Sequence, residues 1–373
     1  MIIIETEDFK SAAKKILAAL SSDRNINSLE LVARDDKLYT NTTNREFYAS
    51  VAFPLKETAE FRAVVEAQKF LSIVSAIDSE TFSLETEGKS LKLWTETSSY
   101  TLPMVYNDAD ELVDLPAIRV DDASVEMRIG LDVLQGILNY NTKEISKFHG
   151  VDTNELQKLY YITETGCFTF TTGACLFRFS LEKPVQLLLN ERVVKLFKLF
   201  DSGVDFAMGH GVSDAGRDFT TISLTNGDVY ISALVNNDDR LLQKMKRPCE
   251  KANEFVSEGY DYRLTVDTAS LRQALSRLSA FSETKPSQFF PIEVSYEGGY
   301  LTFSSDHSGL GREKIKAENA VVETPYIMHL NLTDLVAVVD SARVPFISLD
   351  FGNHKTVIAT RGQAVNMIPE LRS

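Results

Sequence analysis

Three stretches of this chain share one order: an apolar run with helical spacing, then strands. The first is Phe70-Leu71-Ser72-Ile73-Val74-Ser75-Ala76-Ile77, with strands ending at Tyr100-Thr101-Leu102-Pro103-Met104. The second is Val193-Val194-Lys195-Leu196-Phe197-Lys198-Leu199-Phe200, with strands ending at Ile231-Ser232-Ala233-Leu234-Val235. The third is Leu332-Thr333-Asp334-Leu335-Val336-Ala337-Val338-Val339, with strands ending at Val365-Asn366-Met367-Ile368-Pro369. A repeat on this scale commits the chain to an array of similar units, and that array sets the architecture.

A second series interleaves with the first. Phe9, Ala13, Ile16, Leu17 and Leu20 recur at helical spacing, as do Leu131, Leu134, Ile137 and Leu138, and then Leu271, Leu275, Leu278 and Phe281. Each helix follows a short strand and has an early acid, Asp8, Asp132 or Asp267, suited to a helix N-terminus. The two series give six half-units and one domain repeat of about 120–140 residues.

The strands are marked by alternation and turns. Glu87-Gly88-Lys89, Asn226-Gly227 and Glu297-Gly298-Gly299 each separate two alternating runs, which predicts hairpins. Links this short allow antiparallel sheets and no crossover. Two segments read as linkers: Tyr106 to Asp122, rich in acids and holding Pro116, and Asn236 to Ser257, rich in charge and holding Pro248.

With 373 residues, 44% of them hydrophobic, the chain has material for several cores. The net charge of −14 disfavours general nucleic-acid binding, although a local basic surface can coexist with an acidic exterior. Cys167, Cys175 and Cys249 form no CxxC pair, which points to a reducing compartment. The start, Met1-Ile2-Ile3-Ile4-Glu5, has no basic region and no long apolar run, and no segment reaches the ~18 apolar residues of a membrane span. A soluble cytoplasmic protein is the expectation.

No catalytic constellation emerges. His149, His210, His307, His329 and His354 are scattered without metal-ligand spacing. Gly209-His210-Gly211 with Gly216 lacks the ending of a phosphate loop, and Asn107-Asp108-Ala109-Asp110-Glu111 lacks the spacing and glycine of a calcium loop. Cys167 and Cys175 fall on predicted strands and read as buried thiols. The basic residues of the helices are more informative: Lys10 and Lys14, Lys195 and Lys198, Arg272 and Arg277 flank or oppose the apolar stripes. Such residues on one helix read as a solvated face; repeated around an axis, they would gather into one positive surface.

Several segments carry a resemblance. Tyr160-Tyr161-Ile162-Thr163-Glu164-Thr165 with Thr171-Thr172-Gly173-Ala174-Cys175-Leu176 is similar to a strand pair bearing a TDGHRLA motif. Ala233-Leu234-Val235-Asn236-Asn237-Asp238-Asp239-Arg240 is similar to an LVDGRFPDY boundary segment, and Val365-Asn366-Met367-Ile368-Pro369-Glu370-Leu371 to a closing VVMPMRL. Together with the threefold, doubled repeat, these resemble the bacterial DNA polymerase III β sliding clamps over essentially the whole chain. The chain departs from that pattern: Ala174-Cys175 replaces His-Arg, the boundary segment lacks its proline, and the C-terminus has one extra residue before Pro369 and two after Leu371. It resembles a divergent clamp, of bacterial or bacteriophage origin.

The resemblance implies an α+β DNA-clamp fold of three similar domains, residues 1–120, 121–243 and 244–373. It implies a head-to-tail homodimer ring, with helices lining a hole and sheets on the rim. The ring would encircle double-stranded DNA without sequence readout and tether the polymerase and clamp loader through short peptide motifs. Lys10, Lys14, Arg24, Lys147, His149, Lys195, Lys198 and Arg277 would face DNA. Thr172, Gly173, Leu176, Lys244, Met245, Met367, Ile368, Pro369 and Leu371 would build a partner cleft between the second and third domains. Tyr100, Leu278, Ala280 and Phe281 would meet across the dimer interface. No enzyme activity, cofactor or metal is implied. The alternatives are a trimeric-type clamp, a clamp-like DNA-binding scaffold, and a hydrolase with a dispersed active site.

Overall fold

The computed structural model describes residues 1–371 except 18, 21–26, 45, 58–59, 116, 121, 140–155, 157–158, 171–173, 213–217, 236–237, 281–289, 306–310 and 321–323. The same order of elements runs three times. The first copy is β1 (Ile2–Glu5), α1 (Thr6–Leu17), β2 (Ser28–Arg34), β3 (Lys37–Thr43), β4 (Phe47–Pro54), β5 (Phe61–Glu66), α2 (Ala67–Ser75), β6 (Thr81–Glu87), β7 (Ser90–Trp94) and β8 (Ser99–Pro103). The second is β9 (Val125–Ile129), α3 (Leu131–Asn139), β10 (Leu159–Thr163), β11 (Gly166–Phe170), β12 (Ala174–Arg178), β13 (Gln186–Asn190), α4 (Glu191–Lys195) with a 3-10 turn at Leu196–Leu199, β14 (Val204–Val212), β15 (Asp218–Thr225) and β16 (Val229–Val235). An additional helix, α5 (Asp239–Ser257), precedes the third copy. That copy is β17 (Tyr262–Asp267), α6 (Thr268–Ser279), β18 (Pro291–Glu297), β19 (Tyr300–Ser305), β20 (Gly311–Lys316), β21 (Tyr326–Asn331), α7 (Leu332–Asp340), β22 (Phe346–Phe351), β23 (Thr356–Arg361) and β24 (Ala364–Pro369).

The predicted hairpins are present, and all strand pairs described are antiparallel. Gly298 and Gly299 sit at φ +55° and +77°, the left-handed pair that a tight hairpin turn requires. The repeat extends to single hydrogen bonds. Thr6 N donates to Glu80 O at 2.9 Å and its counterpart Thr268 N to Pro345 O at 2.8 Å, so each first helix starts against the strand that follows the second helix. Asp267 caps α6 by accepting from Ser270 N at 2.7 Å.

The chain divides into two compact units: residues 1–135 with 192–236, and residues 136–191 with 237–373. The first unit holds a four-stranded sheet, β1-β6-β7-β8, and an eight-stranded sheet, β5-β2-β3-β4-β16-β15-β14-β9. Phe9 of α1 is fully buried there, with Phe53, Phe70 and Phe82 edge-on at 5.5–5.6 Å. Each such pair adds about 0.5–1.5 kcal/mol beyond area burial.

The second unit holds the eight-stranded sheet β13-β10-β11-β12-β24-β23-β22-β17 and the four-stranded sheet β20-β19-β18-β21. One core lies under α6 and α7, around Leu271, Leu275, Leu335 and Val338, with Ile347 and Ile368 from the sheet. A second core lies under α5, where Met245 and Ala252 pack on Leu176, Val365 and Met367. In this unit Gly136 of α3 passes so close to the sheet that a Cβ would run into the Phe177 ring.

The two linker expectations part here. The segment after β8 is irregular, as read: Val105 N donates to Val64 O at 2.8 Å and Arg62 reaches Asp114, so it is tied to the first sheet. The segment from Asn236 to Ser257 is not a linker. Most of it is α5, capped by Asp238, whose carboxylate accepts from Arg240 N at 2.8 Å. Leu241, Leu242, Met245, Cys249, Ala252 and Val256 give it an apolar face at helical spacing. That burial outweighs Pro248, which removes one helix hydrogen bond.

Candidate functional site

In the first unit, α1 touches the 3-10 turn after α4, and Lys15 ties it to Asp201 at 2.9 Å. Lys14, Lys195 and Lys198 are exposed on these adjoining helical segments. Val193, Phe197 and Phe200 turn the opposite way into the core, at 0, 3 and 5% exposure. The predicted division of α4 into an apolar and a basic face is therefore present. Lys10 differs. Its ammonium donates to Ile77 O at 2.7 Å, just past the end of α2, and lies 3.6 Å from Glu7. It satisfies a carbonyl of the loop after α2, and its charge is committed inside the domain.

Two arginines of the second unit are also paired. Arg272, at the same position of α6 as Lys10 in α1, donates to Val339 O at 2.9 Å and lies 3.5 Å from Asp340. Arg277 forms a two-bond pair with Glu313 of β20, at 2.8 and 2.7 Å. The guanidinium holds the Glu313 carboxyl below its ordinary range. Arg277 remains exposed, with part of its charge shared with Glu313.

The predicted partner residues converge in the second unit, with two corrections. Leu176, Met245 and Met367 share one cluster at 5, 0 and 6% exposure. Among the described residues these three are closed over, because α5 packs its Met245 onto Leu176 and Met367. Ile368 is no part of that wall. Alternation along β24 turns Val365 and Met367 toward α5 and Ile368 to the other face, into the core of α6 and α7. The half-exposed residues packed against this cluster include Leu241, Leu242 and Ala174, with Lys244 exposed on the same helix; Pro369 and Leu371 are half-exposed at the end of β24. Leu371 N donates to His329 O at 2.8 Å, and Tyr326 Oη donates to Glu370, so the last described residues are tied down.

Each eight-stranded sheet joins two groups of four strands edge to edge, through β4–β16 in the first unit and β12–β24 in the second. The repeat counterparts of β16 and β24 is β8, and that of β4 and β12 is β20. Both are end strands of four-stranded sheets, with no further strand beside them among the described residues.

No family model matches the sequence, and no curated protein matches it. Solved structures do. The DNA polymerase III subunit beta of Pseudomonas aeruginosa superimposes with TM-score 0.80 at 14% identity, covering 100% of both chains. The sliding clamp of Bacillus subtilis gives 0.78 at 15%, covering 100% of this chain and 99% of that one. The Helicobacter pylori beta clamp bound to a DNA ligase peptide gives 0.75 at 15%, with the same coverage. The chain has the sliding-clamp fold.

Within this fold the remaining expectations can be placed. Tyr100 of β8 is 40% exposed and Ala280, just after α6, is exposed. Leu278 is 1% exposed in the core of its own unit and offers nothing to a partner chain, which corrects its assignment to the interface. Arg24, Lys147, His149, Thr172, Gly173 and Phe281 lie outside the described residues. Cys167 and Cys175 are buried, and burial pushes both thiols up, which fits packing and no nucleophile. No group of acids, histidines and cysteines able to hold a metal occurs among the described residues. No helix of the described residues is long and apolar enough to cross a membrane.

Sequence reading missed two features of this region. One is α5, whose apolar spacing was masked by its charge. The other is Arg361, 0% exposed, which donates to Asn366 of β24 and to Ser341 Oγ beside the β12–β24 joint. An arginine in an alternating strand gives no signal that distinguishes such burial from exposure.

Proposed function

We propose that this chain is a DNA sliding clamp: a non-enzymatic, cytoplasmic processivity factor that encircles duplex DNA as a head-to-tail dimer. Its three domains are residues 1–120, 121–243 and 244–373. One observation carries the reading. The repeat joins half-units edge to edge twice and leaves β8 and β20, the counterparts of the joined strands, as end strands. A second copy placed head to tail pairs β8 with β20 and gives every half-unit the same neighbour. A heterologous contact of this kind closes into a ring when the rotation fits. Two-domain chains would need three copies, so a threefold repeat favours two.

DNA contact falls to exposed helix lysines, Lys14, Lys195 and Lys198, in a chain of net charge −14. Such contacts are to phosphate and need no sequence readout. Polymerase and loader bind through short peptide motifs at the half-exposed residues of α5, β12 and the C-terminal segment; the Helicobacter pylori clamp of the same fold is bound to a DNA ligase peptide.

The deciding experiment is retention of the chain, after loading, on nicked circular DNA. Release on linearisation is expected. Equal retention on circular and linear DNA would show ordinary binding and reject encirclement.

A further inference from the structure

Four basic residues line up along α5. At 3.6 residues per turn, Arg240, Lys244, Arg247 and Lys251 fall within about 60° of its circumference. All four are exposed. Asp239 and Glu250 lie about 90–110° around the helix from the centre of that stripe, Glu254 borders it beside Arg247, and Glu250 takes Lys246 at 3.9 Å. The third face, Met245 and Ala252, is against the sheet.

Within the stripe the neighbouring charges are alike. Opposite charges at i,i+4 stabilise a helix and like charges there destabilise it by similar amounts. Here each neighbouring pair of the stripe, three or four residues apart, is a like pair. No ion pair to Arg240, Lys244, Arg247 or Lys251 occurs among the described residues, and Lys251 rests on the Phe255 ring at 5.5 Å. In a chain of net charge −14 this is a row of four cations, with Glu250 and Glu254 three residues after Arg247 and Lys251 but bonded to neither.

We propose that the stripe is the docking strip for an acidic segment of a partner protein. The segment continues from a short apolar motif seated at the neighbouring rim of Leu241, Leu242 and Ala174. The proposal rests on the clamp reading only for the apolar motif. The strip lies on the face of the sheet away from α6 and α7, so duplex DNA held by the helices does not reach it. Single-stranded nucleic acid is a poorer occupant, because such sites pair a basic groove with open aromatic faces. The aromatic ring beside the stripe, Phe255, is half-buried and capped by Lys251.

The test uses the full chain and fluorescein-labelled decaglutamate, with anisotropy read at low and raised salt. Decaserine and an oligothymidylate of equal charge serve as the other probes. Wild-type protein should bind decaglutamate, more weakly as salt rises. The triple variant Arg240→Gln/Arg247→Gln/Lys251→Gln should bind it at least about tenfold more weakly, with unchanged helical signal and unfolding temperature, since glutamine is a good helix former. Equal decaglutamate binding by both proteins overturns the proposal. So does a larger loss for oligothymidylate than for decaglutamate. Decaglutamate binding that depends on the stripe, in a chain that fails to encircle circular DNA, would support the strip and reject the clamp.

Discussion

Arg277 and Glu313 face each other as a planar two-bond pair, 2.8 and 2.7 Å, that fastens α6 to the end strand β20. Pairing holds the Glu313 carboxyl below its ordinary value of 4.5. Its stabilising effect is therefore complete above that value and is lost as pH falls through the lower folded one. Arg277 is open to water and Glu313 only partly covered, so the effect on global stability is small. Glu313→Gln should leave the unfolding temperature within about 2 °C at pH 7. It should loosen β20 and weaken self-association several-fold, measured by sedimentation. A large fall in unfolding temperature with unchanged association would contradict this.

Lys10 and Lys14, one turn apart on α1, should separate cleanly. Lys10 bonds the Ile77 carbonyl, and Lys10→Glu replaces that bond with a repelled carboxylate beside Glu7. A loss of about 1–2 kcal/mol of stability is expected from the missing bond and the exposed carbonyl. Lys14→Glu should leave the melting curve unchanged and reduce retention on nicked circular DNA. If Lys14→Glu loads and stays as well as wild type, α1 does not approach DNA.

Burial of Met245 predicts what fastens α5. Met245→Ala removes a side chain at 0% exposure between α5 and the sheet and should cost about 2–5 kcal/mol. The first segment to become accessible should be α5, with faster tryptic cleavage after Arg240, Lys244, Lys246 and Lys251. Cleavage starting elsewhere would show that other contacts hold the helix.

The repeat was legible because its signals are local. Helical spacing around Phe9 and Leu271, the Asn226-Gly227 turn and the acid Asp267 each act within a few residues and agree with one another. The joint β12–β24 was not legible, since strands 191 residues apart in sequence pair there, as Cys175 with Asn366. The site was half legible. Leu176 and Met367 were found through a resemblance, but which face Ile368 takes depends on register, where one residue reverses the side chain. The pairing of Lys10 and Arg277 was hidden because a carbonyl 67 residues away and a carboxylate 36 residues away decide it.

Glu370 carries a pH signature. Burial raises its carboxyl above the ordinary 4.5, although Tyr326 donates to it. The folded chain thus holds this proton more tightly than the unfolded chain. Stability is favoured below 4.5 and declines as pH rises through the folded value. Glu370→Gln should raise the unfolding midpoint at pH 7 and match wild type below pH 4.5. A midpoint gap that stays constant across pH would assign the effect to packing.

The end strand β20 gives the most direct test of assembly. Ala317 N donates to Gly299 O at 2.8 Å, which fixes the parity of the β19–β20 ladder: Glu313 and Ile315 donate inward and Arg312, Lys314 and Lys316 donate outward. On β8 the bond from Met104 N to Lys89 O sets the same alternation, and Pro103, which has no N–H, falls at an outward position. A proline is tolerated there because no ladder bond within the sheet is lost. Lys314→Pro should likewise spare the β19 pairing while removing an N–H aimed at the open edge. If a second copy pairs there, the variant should dissociate at concentrations at least about tenfold higher than wild type, a loss of roughly 1.4 kcal/mol. Lys314→Ala, which keeps the N–H, should not. If Lys314→Pro folds and associates like wild type, β20 is not the joining edge.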